Sequence, residues 1–180
     1  MAATTTTTVP VATSVAAPAA VPLNDKRVYW AIKVDDAGFE ALTAGVHAII
    51  AESGYNQLVP KAGEFHATLL FMGKDRSKEG PIVPFNGART ELRLLQVVAT
   101  PRLACVQLAI TDPAIAALST NACAHLTLAL APKVPAKESN DVLEAVNAGK
   151  AQPGWVVLPA MPSGTGEGHI PAVTGVVTGM

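Results

Sequence analysis

Two short stretches of this chain repeat one pattern, His66-Ala67-Thr68-Leu69 and His125-Leu126-Thr127-Leu128. Each lies in an apolar run that reads as a β-strand. Strand residues two apart project from the same face about 7 Å apart, so each histidine brings a threonine hydroxyl beside it while Ala67 or Leu126 packs behind. Two imidazoles and two hydroxyls converging on one cleft suit a phosphodiester. Hydrolysis of that group needs a proton acceptor for the attacking water and a proton donor for the departing oxygen, and histidine, titrating near neutrality, serves as either. Hydroxyls add directional hydrogen bonds to the non-bridging oxygens without a further formal charge. This chemistry closes without a metal or cofactor. With 16 threonines in 180 residues, two of the four histidines would be followed by Thr at this spacing by chance with a probability of about 0.05.

Blander readings stand beside it. Strand threonines are common for β propensity alone, and a buried histidine can be a hydrogen-bonded core residue. Cys123 and His125 are also two apart on one strand, with Cys105 on a neighbouring run, which sketches a zinc site lacking the usual closely spaced ligand pairs. His47, beside the apolar stripe of a helix, reads as a helix histidine with no chemical task. Phe71, five residues after His66, faces away from His66 and Thr68 by strict alternation unless the strand ends or bulges there. Lys74, Arg76 and Lys78 form a short basic cluster whose default is a solvated loop. Gly164-Thr165-Gly166-Glu167-Gly168 lacks the Lys-Ser/Thr and the helix of a phosphate loop, so a hairpin connection is the better reading.

The elements that must hold these residues follow from periodicity. Val28 to Val34 is a β-branched and aromatic strand; Phe39, Leu42, Val46, Ile49 and Ile50 then mark a helix stripe that Gly54 ends. Further strands are expected at Phe65 to Met72, Leu92 to Thr100, Arg102 to Ile110, Ala124 to Leu130, Trp155 to Leu158 and Ile170 to Val177, the runs on either side of Pro101 forming a hairpin. Asp112-Pro113 starts a short helix, and Lys137 to Ala148 forms an amphipathic one. Strands interleaved with helices in the order β α β β β α β α β β indicate an α/β or α+β domain with two similar halves.

Composition sets the bounds. The length suits one domain, and 49% hydrophobic residues exclude wholesale disorder. Thirteen basic against 14 acidic residues give a net charge of −1, which removes long-range attraction for duplex DNA and confines any RNA contact to a local surface. Two cysteines make no disulfide framework, and no uncharged apolar run reaches the roughly 18 residues of a membrane span, so a soluble cytoplasmic monomer is expected. Residues 1–24 carry no charge and are mostly Ala, Thr, Val and Pro: a disordered low-complexity tail, or alternatively an organellar leader, ahead of a domain at 25–180.

The paired tetrads, with Phe65 before the first, Phe71 and Gly73-Lys74 after it, and the hairpin at Ala99-Thr100-Pro101, resemble the two-histidine phosphoesterases. Within that superfamily the chain is most similar to the catalytic domains of myelin-type 2′,3′-cyclic nucleotide 3′-phosphodiesterases and of tRNA ligases, over roughly residues 28–180. The resemblance implies an α+β fold of two lobes, with two antiparallel sheets flanked by helices around a central cleft. It implies hydrolysis of a 2′,3′-cyclic phosphate on a nucleotide or RNA 3′ end to a 2′-phosphate. His125 would be the base, His66 the acid, Thr68 and Thr127 the phosphate contacts and Phe71 a ring near the substrate base. One departure is Cys123, where myelin-type members carry an arginine. That loss leaves room for an alternative, a catalytically weak module binding RNA ends or nucleotides in the same cleft. A free-standing module, without the kinase-like domain and lipidation signal of the myelin-type enzymes, is expected.

Overall fold

A computed structural model describes residues 27–163 and 169–180, so the tail at 1–24 and the glycine-rich segment at 164–168 lie outside the described residues. The β-branched run after Val28 forms strand β1 (Tyr29–Val34), and Trp30, Ile32 and Val34 turn into the core. Asp35 stops it and caps helix α1 (Asp36–Ser53), its carboxylate accepting from the Gly38 N–H at 2.9 Å. Leu42, Val46 and Ile49 are the buried stripe of this helix, and Gly54 ends it in the left-handed conformation, φ 72°. His47 is exposed.

The remaining strands are β2 (Val59–Pro60), β3 (His66–Phe71), β4 (Arg89–Ala99), β5 (Leu103–Ile110), β6 (His125–Leu130), β7 (Val156–Leu158), β8 (Met161–Pro162), β9 (His169–Ile170) and β10 (Ala172–Gly179). Helix α2 (Pro113–Ala116) is capped by Asp112, and α3 (Glu138–Asn147) buries Ser139, Val142 and Leu143. Short 3-10 turns occupy Arg76–Lys78 and Val83–Phe85. The β4–β5 hairpin forms around Pro101 as expected. Thr100 makes the turn workable: its Oγ1 accepts from the N–H groups of Arg102 and Leu103, replacing strand bonds that the proline interrupts.

The domain is α+β, and its sheet is antiparallel and curled. Among the described residues the two halves are joined in one large sheet rather than divided between two. Hydrogen bonding runs without a break through eight strands in the order β2-β6-β5-β4-β10-β1-β3, with β7 also on β4, while β8 and β9 make a separate two-stranded ribbon. The two halves share β4. Its first part, Arg89 to Arg93, pairs with β10, and its last part, Val97 to Ala99, pairs with β7 on the same edge. A strand of 11 residues is long enough to belong to both halves, and Leu95 is an extra residue opposite β5 where the partners change. One large core fills the curl, from Trp30 and Leu42 to Leu126 and Leu128; a smaller one lies where α3 covers Val98, Leu103 and Cys105.

β10 joins the β1–β3 edge to the rest of the sheet, and Gly175 packs closely against β1. A Cβ there would stand 2.5 Å from Ile32 Cγ2 and 2.8 Å from the Lys33 carbonyl oxygen. Gly175→Ala should therefore lower unfolding free energy by about 1–3 kcal/mol, as other overpacked cores do, measured by urea denaturation. A loss below about 0.5 kcal/mol would show that β1 and β10 separate freely.

Candidate active site

The two tetrads lie on strands with four others between them in the sheet order, so they are not ladder neighbours. Curling brings them together. β3 and β6 come into contact, and the segment leading into β6 is stitched to β3: the Thr120 N–H donates to Leu69 O at 2.8 Å, and Asn121 Nδ2 donates to Thr68 O at 3.0 Å. His66, Thr68, Phe71, His125 and Thr127 all line one cleft of about 460 Å³.

Both strands carry the same irregularity. On β1, the successive residues Trp30 and Ala31 face Leu70 and Thr68, leaving Leu69 as an extra residue. On β5, Ala104 and Cys105 face Ala129 and Thr127, leaving Leu128 extra. Each tetrad therefore ends in a β-bulge at its leucine. Ahead of the bulge, His and Thr face the cleft while Ala67 and Leu126 enter the core; after it, Leu70 and Ala129 face inward as well. The bulge also corrects the alternation at Phe71. Two consecutive inward residues, Leu69 and Leu70, return Phe71 to the side of His66 and Thr68, where it is 67% exposed at the cleft.

The histidines differ in their surroundings. His125 Nδ1 lies 2.9 Å from the Cys123 carbonyl oxygen. A carbonyl only accepts, so Nδ1 carries the proton and Nε2 of the neutral ring keeps its lone pair. Burial lowers the His125 pKa, and the bond to Cys123 opposes that in part. His66 Nδ1 lies 3.2 Å from Lys61 Nζ and 3.5 Å from Glu64 Oε1. Burial first and the Lys61 charge second push His66 down to about 4, against the pull of Glu64.

The threonines differ too. Thr127 Oγ1 lies 3.0 Å from the hydroxyl of Ser139, which α3 holds fully buried. With Ser139 donating, the Thr127 hydroxyl keeps only a long bond of 3.5 Å to the Ala136 carbonyl oxygen, which an anion in the cleft can replace. Cys123 does not line the cleft; its Sγ accepts from Asn147 Nδ2 at 3.2 Å, and Asn147 Oδ1 in turn accepts from Gln96. Cys105 is buried, its thiol pushed up to about 12 by burial. Among the described residues no three His, Cys, Asp or Glu side chains gather as metal ligands would.

Six cleft residues escape a motif reading: Tyr29, Lys61, Asn121, Ala136, Lys137 and Asn140. Tyr29 is opposite Phe71 in the ladder, and its ring lies 5.3 Å from that of His66. Alternation along β1 does carry a signal for it, since the inward Trp30 forces Tyr29 outward. Lys61 and Lys137 sit on loops and have no periodic signature. Lys74, Arg76 and Lys78 are not in the cleft lining.

These elements define a class by architecture: an α+β domain whose antiparallel sheet curls to set two His-x-Thr strands across a cleft. Among solved structures, a fungal RNA kinase shares this fold with a TM-score of 0.52 at 18% identity, over 87% of this chain and 47% of that one. The chain thus spans about half the length of that protein. No family model and no curated protein matches the sequence. Among the described residues no helix is long and apolar enough to cross a membrane.

Both histidines take up a proton less readily when folded than when unfolded. Their contribution to stability is complete above about pH 6.5 and is lost as pH falls, for His66 through about pH 4. Urea midpoints measured from pH 7 to 4 should fall less steeply for His66→Gln than for the unmodified protein. Parallel profiles would show that the ring is not held neutral.

Proposed function

We propose that residues 25–180 form a phosphodiesterase domain of the two-histidine type. It hydrolyses a 2′,3′-cyclic phosphate on a nucleotide or RNA 3′ end to a 2′-phosphate, without a metal. The observation that carries this reading is the repeated, identically bulged His-x-Thr strand, which presents two imidazoles and two hydroxyls to one cleft. The unprotonated Nε2 of His125 suits the base that takes a proton from water. As the P–O3′ bond breaks, His66 Nε2–H supplies the proton to the leaving oxygen. Thr68 and Thr127 donate to the non-bridging oxygens. Phe71 and Tyr29 offer faces for a base, and base stacking on one ring is worth about 1–3 kcal/mol. The fold shared with an RNA kinase supports RNA ends as the substrate class.

A steady-state assay with 2′,3′-cyclic AMP in excess EDTA tests this. Turnover should persist, the product should co-elute with adenosine 2′-phosphate, and His66→Ala and His125→Ala should each lower kcat by about 10² to 10⁴. Binding with no turnover would favour the nucleotide-binding module, for which Cys123 in place of an arginine is the motivating observation. Activity abolished by EDTA would remove the metal-free mechanism. Phe71→Ala should raise KM more than it lowers kcat, because a stacked base is held equally in ground and transition states. A 3′-phosphate product would reject the myelin-type orientation and leave the two-histidine chemistry standing.

A further inference from the structure

Lys61 follows β2 directly. The pairing of β2 with β6 and a bond from the Lys61 N–H to Leu128 O at 2.8 Å fix its backbone beside the second tetrad, while its side chain reaches the first. Its ammonium is 3.2 Å from His66 Nδ1, and a carboxylate oxygen of Glu64 is 3.5 Å from the same nitrogen. An ammonium only donates and a carboxylate only accepts. The two neighbours therefore ask for opposite states of one atom. With Lys61, Nδ1 is a lone pair and the ring is neutral, its proton on Nε2. With Glu64, Nδ1 carries a proton and the ring can become an imidazolium.

The other groups around His66 favour neither outright. Lys33, opposite His66 on β1, is 3.2 Å from Glu64 and holds it in place. Tyr29 presents a ring face, and His125 approaches from β6 as a like charge if protonated. Lys61 makes the closer contact, and a histidine capped by a cation is a poor proton donor at neutral pH. Lys61 also lines the cleft with Thr68 and Thr127, within the space where a phosphate group would lie.

We infer that Lys61 is a positioning residue that exchanges partners with the substrate: its ammonium caps Nδ1 of His66 until a phosphate anion enters, then turns to that anion and leaves Nδ1 to Glu64. The inference rests on the phosphodiesterase reading of the cleft. In the exchange, a proton from solvent binds Nδ1 and is held by the Glu64 carboxylate, so the ring becomes an imidazolium with Nε2–H directed at the leaving oxygen. Transfer of the Nε2 proton to O3′ as the P–O3′ bond breaks returns the ring to neutrality, with Nδ1–H still on Glu64. The acid is thus charged only when an anion is bound. Phosphate esters of either one or two negative charges satisfy Lys61.

NMR titration of the His66 ring in the full chain, with and without saturating adenosine 2′-phosphate, tests this directly. The ligand should raise the His66 midpoint by about two units. Lys61→Met should raise it by about one unit with no ligand present, and Lys61→Arg should restore the low value. Glu64→Gln should leave the ligand-free midpoint low and cut the ligand-induced rise by at least about half. A ligand-free titration unchanged in Lys61→Met would overturn the inference. So would a His66 midpoint that stays put while the ligand perturbs the Thr68 and Thr127 amides. Failure of the ligand to perturb those amides would count against the phosphodiesterase reading instead, and the ligand-free Lys61→Met titration still decides whether Lys61 holds Nδ1.

Discussion

In β3 the leucine after Thr68, and in β6 the leucine after Thr127, has no partner across the ladder, and both side chains are fully buried. A strand of strict alternation could not send two successive residues into the core. One extra residue permits it, and the local twist it adds accompanies the curl that carries β3 and β6 toward one another. Without the curl the two histidines would remain on an open sheet with four strands between them. The hydrophobic demand of Leu69 and Leu128 is thus what aims the polar groups beside them. Stitching through Thr120 and Asn121 then fixes the separation by backbone carbonyls rather than by side chains across the cleft.

On this symmetric frame the electrostatics are asymmetric. His125 leans on a backbone carbonyl, a partner that cannot change its own charge. His66 stands between a lysine and a glutamate, side-chain partners of opposite charge. Thr127 is oriented by a buried serine, whereas Thr68 has its backbone carbonyl, not its hydroxyl, tied to Asn121. A duplicated strand pattern therefore supplies equivalent positions, and the loops around it make the two unequal. Cys123 belongs to this pattern as well: its carbonyl serves His125 while its thiol is engaged by α3.

Much of this was legible beforehand, for physical reasons. The apolar stripe from Leu42 to Ile49 and the Gly54 stop are local signals, and the helix follows them closely. The strand at Arg89–Ala99 and its hairpin partner are long alternating or continuous apolar runs, which periodicity detects well. Phe71 went the other way, because nothing in Leu69-Leu70-Phe71 distinguishes a bulge from a strand end. The continuous sheet was illegible too, since the double allegiance of β4 depends on where β7 and β10 dock from afar. Lys61 owes its place to a two-residue strand, Val59–Pro60, too short and too proline-bound to register as one. Residue types chosen for chemistry stand out in a sequence; residues chosen for where a loop happens to pass do not.

The position of β10 has a kinetic consequence. This strand, formed by residues 172–179, lies between β1 and β4, which precede it by well over 70 residues. Until it inserts, β1 and β3 can pair with each other but have no ladder to the half of the sheet that carries β6. Such long-range closure is slow relative to hairpin formation, because the loop entropy is lost before the contacts form. During synthesis on a ribosome, β4, β5 and β6 emerge as a local meander well ahead of the strand that completes the sheet. Before that step the two tetrads are joined only through the Thr120 and Asn121 bonds to β3; the continuous ladder that backs both walls of the cleft is complete once β10 is in place.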